Sequence, residues 1–250
     1  MNIKLKRRLL FYLLILSYLL FSYYAFGRWW NSFIGSLLIL FFSYLIWKED
    51  FLKKTGLQPD LMTAAKSMIL AAIVIICSWL IMKYIGGRHS VTIKFTNWRN
   101  YYHDIFYILN EEIVIGAIVL FYLVYSKKIR PFFAAVGLAL FFSLIHFVFY
   151  TWIFKDNGII GIFTLLTLFL IGFVRNSLIL QTGHIGYSWA LHFGWMVIMF
   201  GSLHVYQDTN LKLAEYERFN LYLGSVEMVI ISAIIAGLTF VFWIKKGFKV

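Results

Sequence analysis

The sequence predicts an all-α, polytopic membrane helix bundle, and its composition and its long apolar stretches are the observations that predict it. Hydrophobic residues occupy 62% of the 250 positions, and charged residues only 14%. A soluble domain has roughly 45–50% apolar and about 25% charged residues, so this chain has too few polar residues to cover a surface in water. We expect residues 1–250 to form a single integral membrane domain.

Apolar stretches recur along the whole chain. A membrane-spanning helix needs about 20 apolar residues, and about eight stretches come close to that length. The first one follows a basic N-terminus but has no clear small-residue cleavage site, so it is predicted as a span rather than a signal peptide. The candidate spans lie at roughly 9–26, 31–47, 65–85, 102–126, 131–153, 158–174, 184–204 and 223–244.

The distribution of basic residues predicts the orientation of these spans. Most of the 23 Lys and Arg residues fall in alternate connecting segments, including Arg175 after the sixth span. Cytoplasmic segments are enriched in Lys and Arg, so both termini are predicted to be cytoplasmic. The longer outer segments, 86–101 and 205–222, are predicted as solvated loops or as a cap and docking surface over a site.

Composition also limits the partners and the chemistry. The net charge is +12, but no basic stretch is long enough to indicate a nucleic-acid partner. Membrane lipids are the expected partners of the basic segments. The single cysteine, Cys77, excludes an intramolecular disulfide and a cysteine-based metal cluster.

Four ionisable residues lie inside predicted spans and define a candidate catalytic site: Glu111, Glu112, His146 and His192. A charged side chain in the hydrocarbon region costs at least about 2.5–3.5 kcal/mol and is usually functional. Neighbouring residues on a helix point about 100° apart. We therefore expect one glutamate to face the site and the other to face a neighbouring helix.

Several chemistries fit this set of residues. A carboxylate and an imidazole can activate a water molecule, and a second histidine can donate a hydrogen bond to an oxyanion. Glu111, His146 and His192 could instead ligate Zn²⁺ with an open fourth position. Structural hydrogen bonds between helices and a proton-relay transporter are the alternatives outside hydrolysis.

Three short motifs, taken together, resemble the CPBP family of intramembrane proteases, also called the Abi or CAAX-protease family. The E-E-x-x-x-R motif corresponds to Glu111–Gly116, F-x-x-x-H to Phe142–His146, and H-x-x-x-N to His192–Met196. The motifs cover about residues 102–205. The motif arginine is replaced by Gly116, and the motif asparagine is replaced by Met196.

The resemblance implies an Rce1-like helical fold and endopeptidase activity in a bacterial cytoplasmic membrane, on a membrane-associated peptide or protein. Glu111 and His146 would activate the water, and His192 would help to form the oxyanion site. No cofactor is required in the preferred, metal-free mechanism, although a divalent metal such as zinc is the competing view. Because Gly116 and Met196 depart from the motifs, a weak or inactive scaffold, acting in bacteriocin immunity or envelope regulation, is the alternative function.

Overall fold

A computed structural model describes residues 3–23, 29–58, 60–89, 92–95, 101–148, 151, 158–198, 203–206 and 214–246. Within these ranges, five helical stretches are long and apolar enough to cross a membrane. They are Trp30–Lys54, Leu61–Arg88, Ile105–Ser126, Ile162–Thr182 and Val226–Lys245. The predicted class, an integral membrane bundle of helices, is therefore confirmed at this level.

Helices make up most of the described elements. The N-terminal half contains α1 (Ile3–Tyr23), α2 (Trp29–Trp47), a 3₁₀ turn (Lys48–Asp50), α3 (Phe51–Lys54), α4 (Leu61–Arg88), β1 (Thr92–Phe95) and α5 (Tyr101–Glu111). Two π-helical segments continue α5, namely π1 (Glu112–Val119) and π2 (Tyr122–Ser126). The C-terminal half contains α6 (Pro131–Phe147), α7 (Ile162–Thr182), α8 (Gly186–Met196), β2 (Leu203–Tyr206), α9 (Glu215–Tyr222) and α10 (Val226–Lys246).

The remaining three predicted spans correspond to shorter apolar helices in the described part of the chain. The basic residues at the start of α1 leave only Leu9–Tyr23 as uninterrupted apolar helix. The helices α6 and α8 end at Phe147 and Met196. The predicted boundary after residue 174 is wrong, because α7 continues through Arg175 to Thr182.

Local sequence signals explain where several helices begin and end. Pro131 is the first residue of α6, a position where its missing N–H costs nothing. Gly183 ends α7 with a left-handed φ of +69°, which a residue with a side chain adopts less readily. Before α4, Asp60 accepts hydrogen bonds from the Thr63 hydroxyl and from the Met62 N–H, and these bonds lower the pKa of its carboxyl.

Helix α7 lies at the centre of the bundle, where it packs against α6, α8 and α10. Small residues allow the closest approaches between helices. A Cβ added to Gly172 of α7 would lie 3.3 Å from the Ala139 Cα of α6. A Cβ added to Gly194 of α8 would lie 2.9 Å from Val74 of α4. These contacts bring α7 close to α6 and α8 close to α4.

A two-stranded antiparallel sheet pairs the segment 86–101, which was predicted as a loop, with residues at the end of the predicted span 184–204 and the start of the predicted loop 205–222. Strand β1 pairs with β2, and Thr92 lies opposite Tyr206 while Phe95 lies opposite Leu203. Both strands contain β-branched and aromatic residues, which favour extended structure. The parts of the segments 86–101 and 205–222 that flank these strands fall largely outside the described residues.

Candidate active site

A buried arginine, Arg175 of α7, lies between the two glutamates that were predicted as site residues. Its Nη1 donates a hydrogen bond to Glu111 Oε1 at 2.7 Å, and its Nε lies 3.5 Å from Glu112 Oε1. The guanidinium also stacks over the ring of Phe142, with Cζ 4.5 Å from the ring centroid. One cation from α7 therefore contacts both acidic residues at the junction of α5 and π1.

All three charged side chains are removed from solvent. The exposed fraction is 2% for Arg175, 5% for Glu111 and 0% for Glu112. The burial of a charge costs several kcal/mol per ion unless a partner of opposite charge compensates it. The ion pairs therefore explain how this helix bundle accommodates two adjacent glutamates.

His192 of α8 completes the cluster. Its Nδ1 lies 3.0 Å from Glu112 Oε1 and 3.9 Å from Glu111 Oε1. Glu112 is paired with Arg175 and is therefore a carboxylate, which only accepts hydrogen bonds. The hydrogen of this contact is therefore on His192 Nδ1, which is the donor. This contact leaves His192 Nε2 for a substrate or a water molecule.

Both glutamates converge on this cluster, which contradicts the prediction that only one of them faces the site. The backbone changes from α-helical to π-helical winding at Glu112. A π-helix has i→i+5 hydrogen bonds and therefore more residues per turn, so the angle between neighbouring side chains is smaller. Arg175 lies between the two carboxylates and contacts both.

The Phe142 ring contacts His146 as well as the ionic cluster. The ring centroid of Phe142 is 4.6 Å from that of His146 and 6.2 Å from that of His192. His146 Nδ1 lies 2.7 Å from the Phe142 carbonyl oxygen. Because a carbonyl only accepts, Nδ1 carries the hydrogen, and Nε2 of the neutral ring is left as an acceptor.

The residue before the glutamates, Asn110, fixes α5 against α2. Asn110 Nδ2 donates to the Ser32 carbonyl oxygen at 2.9 Å, and its Oδ1 accepts from the Ser36 hydroxyl at 2.6 Å. All three residues are buried. These bonds hold the position of α5 where it carries the adjacent carboxylates.

The glycine that replaces the motif arginine borders the same cluster. A Cβ added to Gly116 would lie 3.1 Å from Glu112 Oε2 and 2.8 Å from Ile179 Cδ1. Glu112 thus has Arg175 as its partner instead of a side chain at position 116. The other departure, Met196, lies four residues after His192 at the end of α8, on the same side of the helix.

The predicted metal ligands only partly come together. One carboxylate oxygen of each of Glu111 and Glu112 and a ring nitrogen of His192 lie within 4.8 Å of one another, whereas His146 is not part of this group. Zinc ligands lie about 2.0–2.2 Å from the ion. The guanidinium of Arg175 already binds both carboxylates, so the residues as arranged do not fit a bound divalent cation.

An apolar cleft of about 430 Å³ lies beside the site, between α1, π1 and α6. Its lining includes Tyr18, Val119, Gly137 and Phe141. Apolar side chains form most of the lining, and Val114 on the π1 wall of the cleft is two residues after Glu112.

Other titratable side chains of the described residues have contacts outside this cluster. His184 precedes α8, where its Nδ1 accepts from the Gly186 N–H and its Nε2 contacts the Gln58 carbonyl oxygen. Glu227, near the start of α10, forms an ion pair with Arg88. His89 is the C-terminal cap of α4, and the side chains of His103 and His204 lie outside the described residues.

Arg175 is the site residue that sequence reasoning missed. The basic residue after an apolar stretch indicated a cytoplasmic boundary, so the predicted span ended at residue 174. The apolar sequence that follows, Leu178-Ile179-Leu180, and the terminating pair Thr182-Gly183 were the signals for a longer helix. A helix of that length places Arg175 in its interior.

No family model matches the chain, and a comparison with curated proteins finds no match.

Proposed function

We propose that the protein is an intramembrane endopeptidase of the CPBP type that uses a water molecule as its nucleophile. The observation that carries this proposal is the convergence of Glu111, Glu112 and His192 around Arg175, with His146 packed against the Phe142 ring. Ionisable residues inside a membrane domain are costly and mark functional sites by default. The resemblance of the three motifs supports the same assignment.

In the proposed reaction, Glu111 removes a proton from a water molecule and the resulting hydroxide attacks the peptide carbonyl carbon. His146 Nε2, left free by the bond of Nδ1 to the Phe142 carbonyl, accepts a hydrogen bond from the same water and orients it. The carbonyl oxygen becomes an oxyanion. The proton then passes to the leaving amine as the carbon–nitrogen bond breaks.

His192 is assigned to the oxyanion. Its Nδ1 donates to Glu112, so only the imidazolium form has a further N–H, at Nε2, for the oxyanion. Glu112 holds the ring in this orientation through the contact at 3.0 Å. A hydrogen-bond donor placed at the position of a developing negative charge is often the largest single contribution to catalysis.

The proposed setting is a bacterial cytoplasmic membrane with both termini in the cytoplasm, and the substrate is a membrane-associated peptide or protein. The apolar cleft beside Tyr18 supports a substrate that approaches from the lipid. We also propose that the shorter helices α1, α6 and α8 belong to the membrane-embedded bundle. This assignment gives the eight-span, Rce1-like arrangement that the motifs imply.

A specific observation favours a second candidate function, a non-catalytic scaffold in a regulatory or immunity role. Met196 stands where the motif has a hydrogen-bond donor, and the cluster satisfies most of its own charge through Arg175. A scaffold of this kind would bind a membrane partner through its surface. It would tolerate changes at His146.

The two functions are separated by comparing the membrane and secreted peptides of cells that express matched variants at equal levels. Glu111→Gln and His146→Ala test the site, and Glu49→Gln and His184→Ala are controls outside it. We expect cleavage products with the wild type and both controls and none with the site variants. The same peptides in all five strains would reject the protease and favour the scaffold.

A further inference from the structure

We propose that Arg175 is the positioning residue of the site and serves as its built-in cation, which holds the two carboxylates and keeps divalent metal ions out. The arginine that contacts the two glutamates lies on a different helix from the one on which the motif places its arginine. Arg175 is on α7, whereas position 116 is on the same helical stretch as the glutamates. The activity part of this inference rests on the proposed function, but the metal part does not.

The guanidinium of Arg175 contacts one oxygen of each glutamate. Its Nη1 and Nε face Glu111 Oε1 and Glu112 Oε1 at 2.7 and 3.5 Å. The group that could hold a metal ion takes one carboxylate oxygen from each of these glutamates and a ring nitrogen from His192. A metal ion bound there would compete with Arg175 for the same two carboxylates.

The two buried carboxylates, Glu111 and Glu112, need compensating positive charge. Arg175 is the buried cation in contact with both, because the other buried arginine of the described residues, Arg218, lies on α9. A divalent ion beside Arg175 would add like charge to a site with little water to screen it.

The removal of this guanidinium should therefore create a metal site. In Arg175→Met the side chain keeps its length without a charge or a donor, and Glu111, Glu112 and His192 keep their ligand atoms within 4.8 Å of one another. Three protein ligands with an open fourth position suit Zn²⁺. Met cannot supply the missing positive charge, so a metal ion becomes the available replacement.

The test is a zinc titration of the purified full-length protein in detergent, followed by removal of free metal and elemental analysis. We expect no stoichiometric zinc in the wild type or in Arg175→Lys, which keeps the positive charge. We expect one zinc ion per chain in Arg175→Met and its loss in Arg175→Met/His192→Ala. Arg218→Met is the matched control for the loss of a buried arginine and should bind no zinc.

Two results would overturn the inference. One is stoichiometric zinc in the wild type that disappears with His192→Ala, because Arg175 would then not exclude the metal. The other is an Arg175→Met protein that accumulates, melts cooperatively and binds no zinc. Since the titrations of the wild type and of His192→Ala do not need Arg175→Met, they test the inference even if Arg175→Met does not fold.

A parallel assay separates this inference from the proposed function. If no variant cleaves any peptide but zinc binds as expected, the positioning inference stands and the protease proposal fails. If the wild type cleaves and Arg175→Lys retains part of that cleavage, whereas Arg175→Met loses it with or without zinc, both stand. Full cleavage by Arg175→Met without zinc would overturn the positioning role alone.

Discussion

Arg175 and Glu111 are 64 residues apart in sequence, and their side chains form a buried ion pair of 2.7 Å between α7 and α5. The same arginine reaches Glu112, which in turn contacts His192. The ionic cluster thus links three helices that form separate parts of the chain. Each member stabilises the charge of its neighbour at a largely buried site.

The ion pair predicts strong coupling between Glu111 and Arg175. We expect Glu111→Leu to destabilise the protein by about 3–5 kcal/mol, because it removes one of the two carboxylates that balance the charge of the buried guanidinium. In Glu111→Leu/Arg175→Met both members of the pair are apolar, and part of that loss should be recovered. Thermal melting of the four proteins in one detergent gives the double-mutant cycle.

The control for this cycle is the ion pair between Arg88 and Glu227, where the arginine is exposed. Exposed pairs contribute about 0–1 kcal/mol, so Arg88→Met and Glu227→Leu should have small and nearly additive effects. Additive effects at Glu111 and Arg175 as well would contradict the coupling of the buried pair.

Moving the arginine back to the motif position is a second prediction. A Cβ at Gly116 would lie next to Glu112 Oε2 but would collide with Ile179 Cδ1 at 2.8 Å. We therefore expect Gly116→Arg alone to destabilise the protein. In the Arg175→Met/Ile179→Ala background the new guanidinium has both a partner and space, and it should raise the melting temperature above that of the background alone.

The matched comparison is Gly116→Met in the same background, which adds bulk of similar length without charge. An equal rise for Gly116→Arg and Gly116→Met would show that packing, and not the charge, is responsible. The measurement is thermal melting, with peptide cleavage as the second readout.

The sequence allowed the membrane class to be predicted, and it drew attention to Glu111, Glu112 and His192, which the structure brings together, because apolar length and intramembrane charge are local features. Arg175 was missed because one basic residue after an apolar run resembles a span boundary. The convergence of both glutamates was missed because a uniform α-helix was assumed at Glu112, where the backbone has π-helical winding. Which side chains meet across helices depends on packing, such as that of Gly172 on Ala139, and short patterns do not encode it.

His146 should affect catalysis far more than stability. The bond from its Nδ1 is to a backbone carbonyl in the preceding turn, and the side chain is only partly buried. A general acid–base group contributes about 10²- to 10⁴-fold, so His146→Ala should reduce the cleavage rate by that factor with a similar melting temperature. A cleavage rate equal to that of the control His184→Ala would exclude His146 from the reaction.

A larger side chain in the apolar cleft should raise the stability of the protein and slow the access of the substrate. A Cβ added to Gly137 meets no atom within 4 Å, so the side chain of Gly137→Leu would extend into the cleft. Replacement of a glycine inside a helix stabilises it by up to about 1 kcal/mol. We expect a raised melting temperature and slower cleavage of a membrane-inserted substrate.

Gly237 of α10 provides the control for the cleft, because a Cβ there also meets no atom within 4 Å and the residue does not line the cleft. Gly237→Leu should gain similar stability and cleave at the wild-type rate. If Gly137→Leu and Gly237→Leu cleave equally fast, the substrate does not enter along this cleft.

Met196 offers a gain-of-function test of the proposed oxyanion site. It lies one helical turn after His192 and has no donor for an oxyanion. In a well-studied protease, one such donor changes the rate by about 10²- to 10³-fold, so Met196→Asn should increase the cleavage rate by up to that factor. Met196→Leu, which is similar in size and also lacks a donor, should match the wild type. If Met196→Asn remains folded and also cleaves at the wild-type rate, position 196 does not face the reacting carbonyl. The oxyanion site would then depend on His192 and not on residue 196.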